Sequence, residues 1–190
     1  GEMAAIERIR LSLKDTLLLV VDVQGRLMAA MEESIRERTI GRILIMIETA
    51  KRLNLPVLVT EQYPKGLGKT VDAIAATLTE FSPYAKMTFS CCGAEEFLPH
   101  LRRLDRRKVL LTGAETHVCC YQTALDLLEN GYIVHAVADA LCSRSKLNWE
   151  KGLAAMEHAG VIPSTTEQAV FDLLRVAGTE DFKALAKMIK

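Results

Sequence analysis

A three-layer α/β/α sandwich around a mostly parallel sheet of six strands is what this sequence predicts, on three observations. Short, β-branched apolar runs alternate with longer stretches whose apolar residues recur at helical spacing. The first run, residues 16–23 (TLLLVVDV), shows no polar alternation, as a strand covered on both faces requires. The stretches between runs mostly hold helices of ten residues or more, long enough for right-handed crossovers between parallel strands.

The elements run in order along the chain. Strand one ends in Asp22, Val23 and Gln24. Residues 35–53 repeat Ile40, Ile43, Leu44, Ile47 and Ala50 along one helix face, and Asn54, Leu55 and Pro56 stop it. Residues 56–60 form strand two, which runs into Glu61 Gln62 Tyr63 Pro64 Lys65 Gly66 Leu67 Gly68, a loop ordered by its Pro and Gly. A weak helix at 71–78 leads to a strand at 84–90 carrying Lys86, then a helix at 94–104. The basic turn 102–108 reads as solvated surface. Residues 108–112 are the next strand, 117–130 a helix ended by Gly131, and 132–138 a strand closed by Asp139 and Ala140. A helix at 148–159, a short strand at 160–162, a capping box from Ser164 to Glu167 opening a helix to Leu174, and a helix at 179–189 complete the chain. No repeat, low-complexity tract or linker interrupts this, so residues 1–190 read as a single domain with a Rossmann-like sheet.

Composition narrows the function. Lys plus Arg equals Asp plus Glu at 24 each, so no basic field draws in nucleic acid or an anionic membrane, and neither is expected as a partner. No apolar run exceeds the length of residues 17–21, far short of the roughly 18 a membrane span needs. No targeting signal opens the chain, and a cytoplasmic location is expected; Gly1 and Glu2, ahead of Met3, are set aside. Five cysteines, two adjacent pairs plus Cys142, form neither a disulfide framework nor the CxxC spacing of a zinc site. A small-molecule substrate is the expected partner.

In a parallel sheet the ligand lies at the carboxyl ends of the strands. Asp22, Gln62 with Tyr63, Lys86, and Cys119 or Cys120 all fall there, around one crevice. A cysteine opening a helix has its thiolate stabilised by the dipole and by free N–H groups, although a small buried residue closing the junction is the plainer reading. An acid, a cation and a thiol converging favours Cys119 as nucleophile. Cys120 reads as core, Cys91 and Cys92 as structural, and Asp139 as a loop brace. Gln24, Leu27, Tyr63 and His117 are candidates to line the pocket, with Tyr63 alternatively packing under its own loop.

The spacing of these residues resembles the isochorismatase-like cysteine hydrolases: Asp22 with Gln24, Lys86, Gly113 followed by Cys119 and Thr123, Gly131 Tyr132, then Asp139 Ala140. Thr60 to Gly68 and Ser143 Arg144 Ser145 resemble the isochorismatase domain-containing branch. The resemblance implies a catalytic triad of Asp22, Lys86 and Cys119, and a cis peptide between Ala114 and Glu115. The Glu115 and Cys119 N–H groups are the oxyanion-hole candidates. It implies no metal, because the loop after strand two has Gln62 and Tyr63 where the nicotinamidase branch has histidines, and no cofactor. It argues against isochorismate, since true isochorismate hydrolases have glycine at the position of Cys119. The expected chemistry is attack of a Lys86-stabilised thiolate on an amide, through a thioester. A homo-oligomer is expected. A catalytically weak scaffold keeping the fold, and a redox protein using Cys119 and Cys120, are the alternatives.

Overall fold

The computed structural model describes residues 4–190; Gly1 to Met3 lie outside the described residues. Its centre is a six-stranded, all-parallel sheet of order β3-β2-β1-β4-β5-β6, with β1 Thr16–Val21, β2 Val57–Gln62, β3 Tyr84–Lys86, β4 Lys108–Ala114, β5 Ile133–Cys142 and β6 Ile162–Ser164. Every residue of β1 is buried. Alternate side chains explain why: Leu18 and Val20 enter one core with Ile43, Met46, Val170 and Leu185, while Leu17, Leu19 and Val21 enter the other with Phe97, Leu101, Leu127 and Met156. Helices therefore cover both faces. The first core is closed by α3 Glu33–Leu53, α9 Thr166–Leu174 and α10 Glu180–Ile189; the second by α6 Phe97–Leu104, α7 Tyr121–Glu129 and α8 Lys146–Ala159. Each fully buried Leu, Ile, Phe or Met contributes about 1.5–3 kcal/mol.

Helix α3 ends where its sequence predicts. Asn54 takes the left-handed conformation (φ 60°) that asparagine tolerates at a helix end, and its N–H returns to the Ala50 carbonyl. Three short helices were not legible, α1 Ala5–Ile9, α2 Gly25–Ala29 and α4 Pro64–Leu67, and the expected helix 71–78 is present in part, as α5 Asp72–Ala75. The expected strand 84–90 shortens to β3, a 3₁₀ turn follows at Cys91–Gly93, and the expected helix 94–104 begins only at Phe97, as α6. The box at Ser164 and Glu167 moves by one residue, since Thr165 caps α9 by accepting the Gln168 N–H. Strand β5 continues four residues past its expected end through a register shift opposite Leu111 and Gly113. The Trp149 indole N–H donates to the Ala138 and Leu141 carbonyls there (3.2 and 3.1 Å), and Asp139 Oδ1 accepts the Thr166 N–H and hydroxyl (2.8 and 2.9 Å). Asp139 braces the loop. The basic turn is less solvated than expected: Lys108 is buried as the first residue of β4, and Arg106 donates to the Leu13 and Thr16 carbonyls. Among the described residues no helix is long and apolar enough to cross a membrane.

Candidate active site

The strand order reverses between β1 and β4, the place where a parallel sheet gathers the loops that bind ligands. Asp22 leaves β1 with φ 50°, its N–H held by the Thr60 carbonyl at 3.1 Å. Its carboxylate is fully buried and fixed at both oxygens: Thr60 Oγ1 donates to Oδ1 (2.8 Å) and Lys86 Nζ to Oδ2 (2.8 Å). Lys86 ends β3 opposite Gln62 of β2. Its ammonium also faces Gln62 Oε1 at 2.7 Å, the Phe89 carbonyl at 2.8 Å and the Thr88 carbonyl at 3.3 Å. Three N–H bonds thus meet four acceptors, and neither charged side chain is exposed. Burial by itself would lower the lysine's pKa, but the Asp22 charge, with smaller help from nearby thiols, outweighs it and the net shift is upward. Lys86 holds its proton.

The loop after β2 is fastened by Gln24. Its Nε2 donates to the Gln62 and Gly68 carbonyls (2.8 and 2.7 Å) and its Oε1 accepts the Gln62 N–H (2.6 Å). Fully buried with both amide atoms engaged, Gln24 has nothing left to offer a ligand, so the expectation that it lines the pocket gives way to a clamp on the 62–68 loop. Tyr63 is 47% exposed, and its ring lies on Gly66, where an added Cβ would come within 2.3 Å of Cε2. Tyr63 therefore packs on its own loop while keeping an outer face free. Leu27 is half-buried against the α3 core.

On the other side, β4 reaches its end only because Gly113 has no side chain: φ is 114°, and a Cβ would sit 2.0 Å from the Val21 carbonyl oxygen. The next peptide, Ala114–Glu115, is cis. The expected helix 117–130 begins as a π-helical turn, Thr116–Cys120, in which the Glu115 carbonyl accepts the Val118 and Cys120 N–H groups (3.1 and 3.2 Å). The turn is supported from outside. Glu115 accepts the Arg144 N–H (2.9 Å) and Nε (3.0 Å), His117 Nδ1 meets Ser143 Oγ at 3.0 Å, and α8 presents Gly152 where a Cβ would lie 3.0 Å from His117 Cα. His117 is half-buried between loop and helix.

Cys119 is buried, with 6% of its surface exposed. Its thiol differs from expectation: instead of being lowered, the pKa is pushed up to about 12, first by burial and then by the Asp22 charge, against which the opposing effect of Lys86 is too small. The physical reason is that Lys86 is already neutralised by Asp22. Cys120 is wholly buried in the α7-side core. Cys91, read as structural, stands closer to the site than its position suggested. Its thiol donates to Thr60 Oγ1 at 3.5 Å, its N–H to Thr123 Oγ1 at 2.8 Å, and burial with the Asp22 charge pushes its pKa up to about 12. Sequence reasoning missed Thr60 as the partner of Asp22. The parallel register sets Thr60 opposite Val21, so strand pairing was the signal that would have found it. Among the described residues no group of three or more His, Cys, Asp or Glu is placed to hold a metal ion. Two grooves lie elsewhere, one of about 380 Å³ beside the outer edge of β2, the other of about 310 Å³ between α1 and α9.

The family description "Isochorismatase domain" matches residues 16–168, which hold Asp22, Lys86 and Cys119. The chain belongs to the isochorismatase family. Isochorismatase domain-containing protein 2 of Xenopus laevis is 41% identical over 146 residues, spanning 76% of this chain and 69% of its own length. A solved structure described as MAR1 ribonuclease from Caenorhabditis elegans is 35% identical, with a TM-score of 0.86 over 95% of this chain and 92% of its own. YcaC from Escherichia coli, described as an octameric hydrolase of unknown specificity, shares the fold at a TM-score of 0.88 and 22% identity, over 99% of this chain and 92% of its own. Within the isochorismatase domain Cys119, in the π-helical turn, lies near enough to the Asp22–Lys86 pair to feel both charges.

Proposed function

We propose that this isochorismatase-family chain is a cysteine-dependent hydrolase of a small amide-type substrate, with Cys119 as nucleophile, Asp22 as proton acceptor and Lys86 as the cation that holds Asp22. The observation that carries this reading is the fully buried Asp22–Lys86 pair at 2.8 Å, whose charges both act on the Cys119 thiol. A thiol with a pKa near 12 is protonated at neutral pH and a poor nucleophile until a base removes its proton as it attacks. In the proposed sequence Asp22 takes the Sγ proton while sulfur bonds to the amide carbon. The negative oxygen is met by the Glu115 and Cys119 N–H groups, each well-placed donor contributing roughly 3 kcal/mol. Asp22 then returns the proton to the departing amine, the C–N bond breaks, and water hydrolyses the thioester to acid and free thiol. Lys86 holds Asp22 in position through each transfer.

The ribonuclease description of the C. elegans relative favours a second reading, cleavage of RNA. A net charge of zero and a lysine whose protons already have acceptors supply little for phosphate, which supports the amide reading. The octamer described for E. coli YcaC is consistent with a proposed homo-oligomer here, which sedimentation would test.

Incubating a panel of small amides, ureides and carbamoyl compounds, and measuring ammonia or amine release, tests the proposal. Cys119→Ser should lose roughly 10³-fold or more on any substrate the wild type turns over, and a mass increase from a thioester should appear on Cys119. Full turnover by Cys119→Ala would defeat the mechanism, and RNA cleavage in its place would establish the second reading.

A further inference from the structure

We propose that the amino end of the sheet carries a second ligand site, which takes a water-soluble anionic amphiphile. Its oxyanion head meets Lys108 and Arg10, and its hydrocarbon tail lies in the groove between α1 and α9. The proposal is independent of the reaction assigned to Cys119, which follows β4, whereas Lys108 opens that strand.

Charge identifies the head. Four cations, Arg10, Arg107, Lys108 and Arg175, line a cavity of about 300 Å³ in which Glu7 is the one acid. Two of the four are answered from outside it. Asp15 takes the Arg107 N–H at 2.9 Å and its Nε at 3.4 Å, and Asp172 takes Arg175 Nη1 at 2.8 Å. Among the described residues Arg10 and Lys108 form no ion pair, and the Lys108 ammonium has the Arg10 carbonyl as its single acceptor. A lysine 5% exposed with one of three N–H groups used is short of acceptors. Burial lowers its pKa, and the charges of Asp15 and Asp172, set against those of Arg107 and Arg175, do not restore it. An oxyanion in the cavity supplies acceptors and counter-charge together. Ser12, half-buried in the same wall, adds a hydroxyl that donates to no protein group among the described residues.

Continuity identifies the tail. Ile6, Arg10 and Leu11 border both this cavity and the groove of about 310 Å³ between α1 and α9, so the two adjoin. Ile162 and Ala169 line the groove further on, while Ile6 and Ile9 stand 64% and 51% exposed along it. Two of its polar side chains are already engaged: His135 Nε2 meets the Arg8 carbonyl at 3.0 Å, and Asp172 accepts the Leu11 N–H at 2.7 Å. Large apolar side chains left in water beside a cationic cavity suit a ligand with charge at one end and hydrocarbon at the other. A free amphiphile fits better than a membrane lipid, since bases and acids number 24 each and the cations gather in one recess rather than along a basic face.

Calorimetry tests this with octyl phosphate, kept below its micelle concentration and titrated into the wild-type protein beside inorganic phosphate and 1-octanol. Octyl phosphate should bind at one site, at least about tenfold more tightly than either control. Octanol lacks the counter-charge for Lys108, and inorganic phosphate forgoes the burial of more than about two methylenes. Lys108→Met should weaken octyl phosphate by about tenfold or more. Ile9→Ser should weaken it by about threefold and leave inorganic phosphate unchanged. If circular dichroism shows Lys108→Met unfolded, Arg10→Gln takes its place, with a loss of about threefold. No saturable binding of octyl phosphate, an equal affinity for either control, or an unchanged affinity in the folded cation variant overturns the proposal. So does pelleting with phosphatidylglycerol vesicles without binding of free octyl phosphate, which would assign this face to a membrane.

Discussion

Two lysines in this molecule are buried to the same degree, Lys86 at 4% and Lys108 at 5% exposure, yet they stand at opposite ends of the sheet and in opposite electrostatic states. Lys86 closes β3 at the carboxyl end and faces a buried carboxylate, so its pKa is raised. Lys108 opens β4 at the amino end, where its ammonium donates to the Arg10 carbonyl; burial lowers its pKa, and the Asp15 charge does not offset that loss. Asp15 is itself engaged with the Arg107 N–H at 2.9 Å and its guanidinium at 3.4 Å. Burial of a charged group is therefore no mark of a catalytic site. What separates the two is a buried counter-charge at the strand ends where a parallel sheet gathers its loops.

Replacing each lysine sharpens this contrast, and the larger effect belongs to Lys86. Lys86→Met leaves the buried Asp22 carboxyl without its counter-charge, which should cost about 3–5 kcal/mol of stability in denaturant unfolding. Turnover should fall by more than about 100-fold, because Asp22 loses the partner that holds its carboxylate in place as the base. A Lys86→Met protein with wild-type stability and rate would erase the distinction. Thr60→Val probes the other oxygen of Asp22. Removing the donor at 2.8 Å leaves Oδ1 buried without its partner, and about 1–3 kcal/mol should be lost, less than for Lys86 because the charge stays paired.

Much of this architecture was legible because it is set locally. The unbroken apolar run of β1, the spacing along α3 and the Asn54 stop are readable from neighbours in the chain, and they agree with the strands and helices observed. That Asp22, Lys86 and Cys119 come near one another was legible through topology, since strand ends of a parallel sheet share one side. Features that depend on register or burial were not. Thr60 reaches Asp22 because β2 pairs with β1 in one particular register, and Lys108 is covered by the Arg10 segment, distant in sequence. The thiol misled for a related reason: a helix start and a lysine argue for a low pKa, but the lysine's charge is consumed by Asp22 and the site is buried. The short helices α1 and α4 span five and four residues, too few for a periodic pattern to emerge.

That raised thiol has a consequence in pH. An acid whose pKa rises on folding adds stability that is full below its unfolded value and is lost as pH climbs through the folded one. For Cys119 the window runs from the ordinary thiol value of 9.0 to about 12. Wild-type stability should fall relative to Cys119→Ala across that window by on the order of 1 kcal/mol per pH unit. Thermal unfolding at pH 8 and pH 10 measures it, and parallel curves for the two proteins would contradict the assignment. Cys91 responds in the same direction but is present in both proteins, so it cancels in the difference.

The smallest effect is expected at Lys108, where the comparison began. Lys108→Met removes a buried ammonium held by one carbonyl and puts an apolar chain of similar length in its place. The lost hydrogen bond and the relieved desolvation oppose each other, and the net change at pH 7 should stay within about 1 kcal/mol, with turnover unaltered. The sign of the pH dependence separates the two contributions. A lysine whose pKa falls on folding is penalised while it must be charged, so the wild type should gain on Lys108→Met as pH rises toward the ordinary lysine value of 10.5. Chemical unfolding of both proteins at pH 7 and pH 9.5 reads that gain directly. If the wild type instead loses ground to Lys108→Met with rising pH, Lys108 is held by a counter-charge after all, and the contrast with Lys86 is one of degree.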